Sequence, residues 1–170
     1  MKFRNSMRDC LAKWEIDALM RLTAKAAGRK ASPLRGLTRR DSLRRYMDFT
    51  AGTIAEMDEP GRETLRRNMY DRAFVVGRFL GRLPGRKSDA AKTRMIRWLY
   101  RNIDISIVGD MPGEISVPRC AFSDRYTPET CYVMSGMDAG IICGIFGGGE
   151  FGFRHRLTEG CPACKAAYRR

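Results

Sequence analysis

Histidine is nearly missing from this chain: its 170 residues contain one, His155. Only that side chain has an intrinsic pKa near neutrality. There is no run of about 18 apolar residues, so no helix is expected to cross a membrane. The opening stretch Met1–Asp9 has no apolar core of the kind a secretory signal needs, so none is predicted. The glycine run Gly147-Gly148-Gly149 lacks the strand before it and the helix after it that a phosphate loop requires, and reads as a helix stop. No internal repeat, helix-turn-helix or RNA-binding signature is evident, and aromatics are not interleaved with basic residues as base stacking would want. Acidic residues are outnumbered, 19 against 32 basic, for a net charge of +13.

That charge is lopsided. Residues 1–102 carry 25 basic and 11 acidic residues, a net +14, and residues 103–170 carry 7 and 8, a net −1. A basic surface attracts anions: a carboxylate substrate, acidic lipid or nucleic acid. The length suits one domain, 1–170, able to bury a core without staples. Six cysteines without a signal predict free thiols in a reducing, cytoplasmic setting.

The hydrophobic period divides the chain. Helical spacing is expected over 5–27, from an Asp41 cap to Pro60-Gly61, over 62–83, and from a Ser88 cap to Asn102. The third of these carries Gly77 and Gly81. Glycine inside a helix costs about 1 kcal/mol against alanine, which points to close approach of a neighbour. Ile103 to Ile107 then alternates as a strand, and 103–122 reads as a hairpin. Thr127-Pro128-Glu129 opens another helix to about 145. Phe151, Phe153, His155 and Leu157 share one strand face, Arg154 and Arg156 the other, and a last strand lies near Cys164–Tyr168. The expected fold is α+β: a helical N-terminal layer on a small antiparallel sheet, with one helix inserted between two hairpins.

Chemistry-bearing residues concentrate after residue 102. On the 127–145 helix, Met134, Met137, Ile141 and Ile145 form an apolar stripe, and Asp138 falls within it. A carboxylate there needs a partner or a raised pKa, either as a structural ion pair or as a functional group. His155 is expected to be at least partly buried on its strand face. Cys10 and Cys143 read as small buried hydrophobes. Cys161-Pro162-Ala163-Cys164 resembles a zinc knuckle; with Cys120 and Cys131 as the only completers, it predicts a site for zinc or another divalent metal.

Residues 120–168 also resemble the L-2-amino-thiazoline-4-carboxylic acid hydrolase-like family. The resemblance rests on Cys120 with an aromatic two residues later, Pro128-Glu129, Met137-Asp138, Gly147-Gly148, and Thr158-Glu159-Gly160 followed by Cys164. The chain departs from the family pattern at Lys165-Ala166-Ala167, at Ser135 and in the additional Cys161. The resemblance implies hydrolysis of a C–N bond in a small cyclic amidine, with Cys120, Asp138 and Cys164 as catalytic residues converging on one cavity. A thiolate at Cys120 or Cys164 would attack. Asp138 would orient or deprotonate the attacking group. Arg154 and His155 are the expected substrate-binding residues, for a small anionic substrate. The competing readings are a small-ligand or metal-binding protein on the same scaffold, or an anion- or nucleic-acid-binding protein that uses the basic helices.

Overall fold

The computed structural model describes residues 2–170, with side chains from Asp9 onward. Four helices come first: α1 (Lys2–Ala26), α2 (Arg39–Ala55), α3 (Glu59–Gly81) and α4 (Asp89–Asn102). Strands β1 (Ile105–Val108) and β2 (Gly113–Cys120) follow, then α5 (Pro128–Phe146), β3 (Glu150–His155) and β4 (Cys164–Arg169), with a single 3-10 turn at Leu157–Glu159. All strand pairs are antiparallel, in the order β1-β2-β4-β3. The fold is the expected α+β, with α5 inserted between the two strand pairs. No helix among the described residues is long and apolar enough to cross a membrane.

Local chemistry explains where helices begin. Thr38, Asp58, Ser88 and Thr127 each sit in extended backbone and accept a hydrogen bond from the amide three residues on. Such a cap contributes about 1 kcal/mol. Asp41, the expected cap of α2, instead lies in its first turn, where its amide donates to Thr38 Oγ1 at 3.2 Å. Pro60-Gly61 does not break a helix either. Pro60 occupies the first turn of α3, where no amide donor is needed, and α2 has already ended at Ala55.

The first strand is shorter than its alternation suggested. Ile103 closes α4, and Asp104 adopts a left-handed conformation with φ 59°. For a residue with a Cβ that conformation costs about 1 kcal/mol. Arg39 offsets it by donating to the Asn102 carbonyl at 3.1 Å and to the Asp104 carboxylate. Pairing then starts at Ile105, opposite Cys120.

Helix α5 is apolar all round, the mark of a helix enclosed on every side. Val133, Met134 and Met137 pack into one core with α1, α2 and α3, and Ile142, Cys143 and Ile145 into a second with α4 and the sheet. Its contact with α3 is unusually close. A Cβ at Gly77 would overlap the Ile141 carbonyl, and one at Gly140 or Gly144 would overlap the carbonyls of Tyr70 or Phe74. The glycines of α3 are thus explained as expected: their missing side chains let two backbones touch along three turns.

Candidate functional site

Asp138 lies midway along α5. Tyr100, on the buried face of α4 with Ala91, Met95 and Ile96, donates its hydroxyl to Asp138 Oδ1 at 2.7 Å. By accessible surface Asp138 is only partly buried, but protein atoms crowd its carboxyl, and that crowding governs its acidity. Burial pushes it up to about 6, while the Tyr100 hydrogen bond and the Arg156 charge both pull it back. The group is therefore poised to exchange a proton near neutral pH.

Three thiols share this electrostatic neighbourhood. Burial pushes Cys120 up to about 12; the Phe122 backbone opposes this, and the charge of Asp138 adds to it. Cys131 and Cys164 are likewise raised by burial, and both feel Asp138 and Arg156. Cys164 Sγ accepts the Leu157 amide at 3.3 Å. At rest all three are neutral thiols rather than thiolates. Cys143 is buried, as expected, whereas Cys10 is exposed on α1, contrary to expectation. All six cysteines are free.

The strand pairing corrects the expectations for Arg154 and His155. Phe153 faces Ala166, but the next partner of Lys165 is His155, so β3 spends two residues against one of β4. This bulge puts Arg154 and His155 both toward solvent. Arg154 pairs there with Glu114, Nη1 to Oε1 at 2.9 Å. His155, expected to be at least partly buried, is exposed. Neither joins the carboxylate and thiols.

Arg156 turns inward in their place. Its side chain is 13% exposed and bonds Glu159 Oε1 at 3.2 Å. Its guanidinium lies 5.6 Å from the Tyr132 ring centre and 5.4 Å from that of Phe153. Strict alternation had put Arg156 on the outer face, and only the extra residue of the bulge reverses it.

Two more groups were not anticipated from sequence: Tyr100 and Glu15. Burial pushes Glu15 up to about 7, while the hydrogen bond from Asn102 Nδ2, at 2.9 Å to Oε2, pulls it down. Tyr100 feels the charges of both Asp138 and Glu15. The spacing signal existed. Glu15 stands beside Ile16 on the α1 face that buries Ala12 and Met20, and Tyr100 continues the buried line of Ile96. The same argument that singled out Asp138 applies to both.

The four-cysteine metal site is not assembled. Among the described residues no group of three or more His, Cys, Asp or Glu is placed to hold a metal ion. Cys120, Cys131 and Cys164 all feel the charge of Asp138, while Cys161 sits in the turn ahead of β4, its amide bonded to the Arg156 carbonyl. Burial also disfavours the deprotonated thiols that a metal requires.

A cleft of about 860 Å3 opens beside this cluster, between α2 and the end of β2. Cys120 and Leu157 form part of its wall, but its lining stops short of Asp138 and Cys164. Of the three residues expected to share a cavity, only Cys120 lines this cleft. Cys120 lines the cleft and also feels the charge of Asp138. No family model matches this chain. No curated protein and no solved structure matches it.

Proposed function

We propose that the protein hydrolyses a C–N bond of a small cyclic amidine bearing a carboxylate, with Cys120 as the attacking group and Asp138 as its base. The observation that carries this reading is the position of Cys120, which lines the cleft and is electrostatically coupled to a carboxyl raised to about 6. Cys164 is buried and its sulfur is occupied by the Leu157 amide, so it supports the site rather than attacking.

In the proposed step the Cys120 sulfur adds to the amidine carbon while its proton passes to the Asp138 carboxylate. The C–N bond breaks as a solvent proton entering through the open cleft reaches the departing nitrogen, because Asp138 lies outside its lining. Water then displaces sulfur from the carbon, releasing one proton to solvent, and Asp138 returns its proton to the thiolate. Moving a proton from a thiol near 12 to a carboxyl near 6 is uphill by about 8 kcal/mol at 1.36 kcal/mol per unit, within an enzymatic barrier when the transfer is concerted with attack. Tyr100 holds the carboxylate, and Arg156 balances its charge. A reducing, cytoplasmic setting goes with this reading, because the attacking group must remain a thiol.

The test is turnover of 2-amino-thiazoline-4-carboxylate by the purified chain. Cys120→Ala and Asp138→Asn are each expected to lower it by about 100-fold or more, while Cys164→Ser retains measurable activity. Full turnover by Cys120→Ala would refute the nucleophile, and unchanged turnover by Asp138→Asn would refute the base.

A further inference from the structure

The cleft beside Cys120 has a charge pattern of its own. Four arginines and three aspartates contribute to its wall. Two of those aspartates are already neutralised: Asp48 pairs with Arg125 at 2.8 Å, and Asp104 pairs with Arg39 just outside the lining. Arg40, Arg44 and Arg119 form no ion pair among the described residues, and the one acidic side chain left to oppose them is Asp124. The wall therefore carries an excess of about two positive charges.

Those arginines come from separate places. Arg40 and Arg44 are one helical turn apart on α2, and Arg119 extends from β2, opposite Ser106 of β1. Between them Leu43, Met47 and Ala121 supply an apolar floor. A concave site lined by apolar side chains and by three arginines without an ion pair suits an organic anion, since a guanidinium can grip an oxoanion with two parallel bonds. The volume is that of a small-molecule site. A nucleic-acid groove instead tracks a backbone with a continuous stripe and stacks bases on aromatic rings, and no aromatic side chain lines this cleft.

We infer that this cleft binds a small organic dianion, a dicarboxylate or a phosphate ester, held between Arg40 and Arg44 on one side and Arg119 on the other. This deepens the functional reading above, whose cleft it uses, by adding a second anionic group beside the carboxylate of the amidine proposed there.

The experiment reads binding, not turnover. Succinate, inorganic phosphate, neutral succinamide and a 20-nucleotide single-stranded DNA are each titrated calorimetrically into the full chain. The parent, Arg44→Gln, Arg119→Gln and the control Arg78→Gln, from the far end of α3, are compared. The expected result is a saturable site for succinate or phosphate, weakened at least tenfold by Arg44→Gln and by Arg119→Gln, unchanged by Arg78→Gln and absent for succinamide. The tighter of the two anions identifies a carboxylate or phosphate ligand.

The inference is overturned if neither dianion binds, if Arg78→Gln weakens binding as much, or if only the DNA binds, with steep salt dependence. Asp138→Asn separates this idea from the catalytic one: it is expected to retain dianion binding while losing turnover. Binding without turnover in the parent would end the hydrolase reading and leave the anion site standing. Turnover without dianion binding would do the reverse.

Discussion

The Tyr100 hydroxyl donates to Asp138 Oδ1 at 2.7 Å, joining the last turn of α4 to the middle of α5. A hydrogen bond to a charged acceptor contributes about 1.5–3 kcal/mol, and it favours the ionised form of that acceptor. The bond therefore holds Asp138 closer to ionisation than burial alone would allow. Removing it by Tyr100→Phe is expected to raise the Asp138 pKa by about one unit or more. The acid limb of the pH–turnover profile should move upward by the same amount. An unmoved limb would show that Asp138 does not set it.

The two buried carboxyls make stability depend on pH in an unusual direction. Asp138 is raised from 3.8 to about 6 and Glu15 from 4.5 to about 7. For an acid raised on folding, the unfolded chain releases its proton first. Stability from the neutral form is then complete below about pH 4 and is lost as pH rises through 6 and 7, by about 3 kcal/mol per group. Asp138→Asn and Glu15→Gln are expected to match the parent near pH 4 and to exceed it at pH 8 by roughly that amount. Urea unfolding at the two pH values measures the difference. Equal differences at both pH values would show that neither carboxyl is shifted.

Arg156, rather than Arg154 or His155, faces the carboxylate and thiols. Arg156→Gln removes a positive charge that holds Asp138 and two thiols down. It is expected to lower turnover about tenfold or more and to raise the Asp138 pKa. Arg154→Gln and His155→Gln, both on the solvent side of the bulge, are expected to leave turnover within about twofold of the parent. Steady-state kinetics of the three variants decides it, and a large effect at His155 alone would overturn the assignment.

Helices α3 and α5 touch through glycine. Gly144→Ala places a methyl group against the Phe74 carbonyl. Overpacking of this kind costs about 1–3 kcal/mol, more than the roughly 1 kcal/mol that alanine gains in helix propensity. A net destabilisation of up to about 2 kcal/mol is expected. The exposed Gly52 of α2 has nothing within 4 Å of a Cβ, so Gly52→Ala should stabilise by about 0.5–1 kcal/mol. Chemical denaturation of the pair is the check; similar effects at both positions would mean that the helices separate easily.

Much of the scaffold could be read in the sequence because its signals are local. Ser88 and Thr127 announced their helices, since a cap bonds an amide three residues away. Asp138 was found by angle alone, because a helix turns by a constant amount per residue. Gly77 and Gly81 foretold a close neighbour from the cost of glycine in a helix. Glu15 and Tyr100 obey the same angular rule, one on the buried face of α1 and the other on that of α4.

Other features were beyond reach. The bulge after Phe153 has no local mark: alternation counts residues, and one unpaired residue inverts everything that follows. His155 and Arg156 exchange places for that reason. Cys161 and Cys164 are separated by two residues, the spacing of a knuckle, yet only Cys164 feels the charge of Asp138. That Cys120 lines the cleft and Asp138 does not is a matter of how α2, β2 and α5 fill space.

The amino-acid order determined by itself which segments are helices and strands, and that α5 carries a carboxylate among apolar side chains, since propensity, capping and periodicity act over a few residues. Tertiary structure alone decided which arginine meets that carboxylate, which thiol borders the cleft, and which arginines line that cleft without an ion pair among the described residues. Those depend on register and on packing between elements up to a hundred residues apart, where a shift of one residue changes the neighbour and leaves the local pattern intact.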